Sequence, residues 1–214
     1  TWGNGGANIE DHFAVNYVAN LSSKEKLTLG HSVNQNTGGA ATAPNRVELT
    51  NKWANTSATI SRFDLFNSDV GSYNTGSEVV VLGWDPADTH TSNFWEELAS
   101  VELGVAGDAI TTGTISAKKY LWIQCWIKPT GGTVNLDMTF NNDVTSNYHR
   151  RWSDDGGADQ TGQRSQIDVA GTESFPFFSN MFIINNSANE KLVMQSLVMQ
   201  ESSGAGGAPT RQEF

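Results

Sequence analysis

The chain has 214 residues, a formal net charge of -10, 37% apolar and 17% charged residues, and a single cysteine. Such acidity argues against nucleic acid as a partner, because phosphate neutralisation needs clustered Lys and Arg and the only adjacent pairs are Lys118-Lys119 and Arg150-Arg151. One cysteine, Cys125, excludes an internal disulfide, and no apolar run approaches the roughly 18 residues of a membrane span.

Abundant Gly, Ser, Thr and Asn with only 5 Pro suit a turn-rich β protein rather than a helical bundle or a disordered tail. The length suits one large β domain or two small ones. A first residue of Thr fits a processed product or a segment of a longer polypeptide, and "TWGNGGANIEDHF" has neither the basic end nor the apolar centre of a signal peptide.

In chain order, alternation of apolar and polar residues predicts strands near Phe13 to Ala19, Lys26 to Gln35, Arg46 to Trp53, Thr59 to Phe66 and Glu78 to Trp84. Trp95 to Leu103 alternates as well and reads as a strand rather than a short helix. Further strands are predicted near Ile110 to Ile115, Tyr120 to Ile127, Val134 to Phe140, Ser165 to Val169, Asn180 to Ile184 and Lys191 to Gln200. Turn clusters such as "KPTGG" and "SDDGGADQTG" separate them. Many short strands at about ten-residue spacing predict an all-β fold, an antiparallel β-sandwich of jelly-roll-like form.

The chain also repeats itself. A shift of 165 aligns residues 13–49 with 178–214 without a gap, and 14 of the 37 pairs are identical. They include Phe13 with Phe178, Glu25-Lys26-Leu27 with Glu190-Lys191-Leu192, Arg46 with Arg211 and Glu48 with Glu213. Upstream, "WGNGGAN" at Trp2 echoes "WSDDGGAD" at Trp152. The expectation is a pair of tandem or permuted units of about 165 residues, with residues 1–89 ending one and 90–214 beginning the next. The second unit would then be short of its last strands, and an unpaired edge is met by borrowing a strand. Glu190, Lys191, Leu192, Arg211 and Phe214 therefore mark the expected assembly or strand-exchange segment, within one compact sandwich or between subunits.

Catalytic signals are weak. No G-x-S-x-G elbow is present, and Cys125 sits mid-strand in "YLWIQCWI", where a thiol is a small buried hydrophobe. Glu96 and Glu97 are neighbours on a strand and point to opposite faces, so they cannot flank one glycosidic bond. No enzyme activity is expected. The four histidines have no zinc-ligand spacing. Asp154, Asp155 and Asp159 form an oxygen-rich cluster that could hold Ca2+, although Asp-Gly runs are first of all turn formers. Trp122, Gln124 and Trp126 share one strand face. Two readings stay open for them: burial in a sandwich or under a partner, or an exposed platform for a glycan or a protein.

"FWEELASVEL", "GTISAKKYLWIQCWIKPTGGTVNLDMTFNND", "NYHRRWSDDGGAD", "MFIINNSANEKL" and "KWANTSATISRFDLFNSDVGSYNTGSEVVVLGWD" together resemble a repeated β module of structural proteins from tailed phages and environmental viruses. The resemblance spans nearly the whole chain and carries no functional motif. It implies a virion protein of decoration, head-fibre or tail-fibre type, at the virion surface, whose partners are capsid or other virion proteins and copies of itself. A carbohydrate-binding module or an extracellular, cell-surface adhesion repeat is the alternative.

Overall fold

The computed structural model describes residues 11–67, 72–83, 95–173, 175–187, 189–200 and 208–213, and its secondary structure is all β. Eleven strands follow in order: β1 (His12–Ala19), β2 (Lys26–Asn34), β3 (Asn45–Trp53), β4 (Tyr120–Ile127), β5 (Val134–Met138), β6 (Tyr148–Asp154), β7 (Gln160–Arg164), β8 (Ile167–Glu173), β9 (Phe177–Ile184), β10 (Leu192–Met199) and β11 (Thr210–Glu213). They form a six-stranded sheet of order β4-β9-β10-β11-β6-β7, a three-stranded meander β1-β2-β3 and a ribbon β5-β8. Every pairing is antiparallel.

The large sheet lies between the other two. One face of β9 and β10 packs on the ribbon through Phe177, Leu197, Met199 and Ala170, with Ile127, Val134 and Leu136 at the margin. The opposite face packs on the meander: Leu192, Met194, Phe182 and Ile184 meet Val33, Phe13 and Val15. Both faces of β9 and β10 are thus apolar. That is why "FFSNMFII" reads as a near-continuous hydrophobic run instead of a clean alternation.

The two stretches matched by the 165-residue shift fold alike. β1 and β9 have bounds 165 positions apart, and β3 and β11 start 165 apart. The registers agree too: His12 pairs with Asn34 as Phe177 pairs with Met199, and Asn34 pairs with Asn45 as Met199 pairs with Thr210. Residues 13–34 and 178–199 therefore hold equivalent positions in two three-stranded meanders. The meanders differ at their borders. β9 has β4 beside it and β11 has β6, through Gln212↔Asp154 and Glu213↔Ser153. Among the described residues, β1 and β3 pair only with β2.

Local chemistry sets the turns. Asp155 (φ 48°) and Gly156 (φ 75°) are both left-handed, and the Gly157 amide donates to the Asp154 carbonyl at 2.7 Å. This is the type I′ geometry that Asp-Gly favours.

Several sequence expectations need correction. Thr59 to Phe66, Trp95 to Leu103, Ile110 to Ile115 and the described part of Glu78 to Trp84 form no ladder. Alternation specifies an amphipathic extended segment, but a strand also needs a paired neighbour, and among the described residues none pairs with these. Conversely β6, β7 and β11 have no clear apolar alternation, since "YHRRWSD", "QTGQR" and "TRQE" are mostly polar. Backbone pairing with β11 and between β6 and β7 defines them. Trp2, Trp84, His90 and Phe214 lie outside the described residues.

Candidate functional site at the junction of the meanders

In β2 and β3, His31 lies opposite Glu48, so both side chains rise from one face, two positions from the Val33 and Arg46 pair. In β10 and β11 the corresponding pair is Ser196 and Glu213. The two faces meet, and the packing of Val33 on Leu192 and Met194 carries the polar pairs toward each other. Ligand atoms of His31, Glu48 and Glu213 come within 4.8 Å of one another. A cavity of about 350 Å³ opens beside them, lined by Leu29, His31, Glu48, Leu49, Thr50, Arg211 and Glu213.

Arginines frame this cluster. Arg46 donates to the Glu213 carbonyl at 2.7 Å, to Ser153 Oγ at 2.9 Å and to Asp159 Oδ1 at 3.0 Å. Arg211 Nη1 lies 3.0 Å from Glu213 Oε1. Glu213 itself is only 7% exposed. Burial, the hydrogen bond to Glu48 and the charge of Glu48 together push its carboxyl up to about 7. Glu48 is held below the usual carboxylate range, chiefly by the hydrogen bond from Glu213. The opposite shifts are those of two like charges in contact, which favour a single proton shared between the carboxyl groups.

The tryptophan face is open. Trp122, Gln124 and Trp126 all point to the exposed side of β4, with Trp126 66% and Trp122 43% exposed. Trp122 is anchored: it stacks on Phe182 at 5.9 Å, meets Trp95 at 5.6 Å and donates from Nε1 to Asn180 Oδ1. On the other side of the strand, Cys125 is half-buried, and burial pushes its thiol up, as suits a packing residue rather than a nucleophile.

The aspartates do not converge. Asp155 Oδ1 accepts from the Arg211 amide at 2.8 Å, and Asp159 accepts from Arg46 and, at 3.3 Å, from Arg151. Asp154 pairs through its backbone with Gln212. Among the described residues, the one set of three His, Cys, Asp or Glu donors is His31, Glu48 and Glu213, which replaces Asp154, Asp155 and Asp159 as the candidate cation site.

The expected assembly segment is engaged within the chain. Glu190 Oε1 accepts from the Gly39 amide at 2.7 Å, Lys191 Nζ donates to the Asn189 carbonyl, Leu192 is buried against Val33, and Arg211 holds Glu213. Among the described residues, open edges lie on β1 and β3 of the meander, on β4 and β7 of the large sheet and on both strands of the ribbon. Spacing arguments missed the His31, Glu48 and Glu213 group because its members are 17 and 165 positions apart. The usable signal was the repeat itself, in which Glu48 matches Glu213 and Arg46 matches Arg211.

Comparison with protein-family models, with curated proteins and with solved structures yields no match.

Proposed function

We propose that this chain is a non-enzymatic structural module of a virus particle, built from parts of two successive units and acting through contacts with copies of itself and with other virion proteins. One observation carries the reading. The two meanders share one register, yet β11 is flanked by β6 whereas β3, its counterpart, has no second neighbour among the described residues. The occupant that fits β3 is a β6-type strand from another copy of the unit, in the same polypeptide or in a neighbouring subunit. Main-chain hydrogen bonds along the edge would supply the affinity.

A second observation supports the same mechanism. Val79, Val80, Val81 and Leu82 are 51 to 60% exposed in a segment without a ladder, and Val105, at a bend, is 81% exposed. They are held to the β4 end of the sheet by side chains, Glu78 to Lys119 and Tyr120, and Glu96 to Lys118. Extended apolar segments beside open edges are suited to pairing between chains. The virion setting rests on the resemblance of the sequence, and the acidic net charge would keep assembled copies dispersed.

Two proline variants test the mechanism. Successive amides of a strand face opposite edges, so of Thr50→Pro and Asn51→Pro one breaks a bond to β2 and the other alters only the free edge of β3. One variant should remain folded and lose self-association in light scattering. Association unchanged in the folded variant would refute edge pairing. Stoichiometric co-purification with particles tests the setting, and absence from particles would remove it.

Exposed Trp126 beside Gln124 and Trp122 favours a second reading, a glycan-binding platform at an extracellular or virion surface. Glycan-array signal lost on Trp126→Ala in a folded protein would support it, and no signal from the unaltered chain would end it.

A further inference from the structure

We propose that His31, Glu48 and Glu213 form a transition-metal site, with Zn2+ the best-fitting ion, that clips β3 of one meander to β11 of the other. This goes beyond the assembly reading and does not depend on it.

The donor set is the first argument. One imidazole nitrogen and two carboxylate oxygens suit zinc better than calcium, which takes oxygen ligands alone. Ligands about 2.1 Å from a tetrahedral zinc stand about 3.4 Å apart. The three donors already lie within 4.8 Å, so closure takes about an ångström of side-chain movement. The second argument is the cavity of about 350 Å³ that these residues line, which leaves a fourth position for water or a small anionic ligand.

Third, Arg46 makes its short contacts outside the donor set. Its guanidinium goes to the Glu213 carbonyl, Ser153 and Asp159 at 2.7 to 3.0 Å and reaches Glu48 Oε1 only at 3.8 Å. Arg211 takes Glu213 Oε1, and the metal would take the place of the hydrogen bond between Glu213 and Glu48. The Arg211 contact also orients the carboxylate, as outer partners of metal ligands commonly do. The repeat makes the site one-sided: Ser196 occupies the place in the second meander that His31 holds in the first. No second site of equal donors forms across the junction.

The test uses the full chain with Zn2+ alone. Calorimetry should give saturable one-to-one binding, and the melting temperature should rise and return on chelation. His31→Ala and Glu48→Gln should each weaken binding by more than about 10-fold, a loss that even outer partners of metal ligands can cause. His12→Ala, an exposed histidine at the start of β1, should leave it unchanged. Co2+ added to the unaltered chain should give ligand-field absorption bands of a four-coordinate site, a readout that needs no variant to fold. Absence of saturable Zn2+ binding, binding retained in both site variants, or Co2+ without such bands would each overturn the proposal.

Discussion

Glu48 and Glu213, 165 positions apart and equivalent in the repeat, share a hydrogen bond across the junction of the two meanders. Their contact joins the two copies through the same residue from each. It also makes the junction sensitive to pH. Glu213 is raised to about 7 from an ordinary 4.5, so its contribution is complete below 4.5 and is lost as pH rises through 7. Glu48 is lowered, so its contribution is present above the ordinary carboxylate value and is lost as pH falls through its depressed one. Metal-free protein in chelator should therefore melt highest near pH 4.5 and several degrees lower at pH 8. Glu213→Gln should flatten the fall between about pH 4.5 and 7. A melting curve that ignores pH over that range would contradict the shared proton.

The core of the large sheet should tolerate little truncation. Leu197 is 2% exposed and touches the cluster under the ribbon. Leu197→Ala should cost about 2–5 kcal/mol in denaturant unfolding. Val105→Ser, at a residue 81% exposed, should cost less than about 0.5 kcal/mol in dilute protein while weakening association. A large stability loss at Val105 in dilute protein would mean that its segment packs within a single copy.

Asp168 ties β8 of the ribbon to β6 of the large sheet. Arg150 Nη1 lies 2.6 Å from Asp168 Oδ2, both side chains are 18% exposed, and the Arg150 guanidinium also covers the Trp152 ring at 3.6 Å. Asp168→Asn keeps the shape but removes the nearest counter-charge of the half-buried cation, leaving the weaker influence of Asp137 and Asp154. A loss of about 1–3 kcal/mol is expected, measured by chemical unfolding.

The two tryptophans of β4 should separate. Trp122→Ala removes stacking on Phe182 and contact with Trp95 and should lower stability by about 1 kcal/mol or more. Trp126→Ala should leave melting nearly unchanged and affect only what the exposed ring binds. Equal losses in both variants would show that the Trp126 ring is packed.

Much of this architecture is legible in the sequence where side chains alone decide it. "TVNLDMTF" and "YLWIQCWI" alternate, and both became strands with the expected faces, including the shared face of Trp122, Gln124 and Trp126. The 165-residue shift led to the correspondence of β1-β2-β3 with β9-β10-β11. Pairing was the part that could not be read. Val79 to Leu82 and Trp95 to Leu103 carry strand-like patterns yet pair with no strand among the described residues, whereas "QTGQR" carries none and forms β7 on backbone bonds to β6. The His31, Glu48 and Glu213 group was hidden for a related reason. Its members face one another only once two sheets stack, and no local spacing encodes that.

Hydrogen exchange along β3, followed against protein concentration, tests the central claim most directly. β3 and β11 are equivalent strands, and among the described residues one has a free edge and the other is flanked by β6. The alternate β3 amides that face away from β2 should exchange freely in dilute protein and become protected as copies associate, while those of β11 should be protected throughout. Outward β3 amides that stay unprotected at every concentration, although the protein associates, would contradict edge pairing as the basis of assembly.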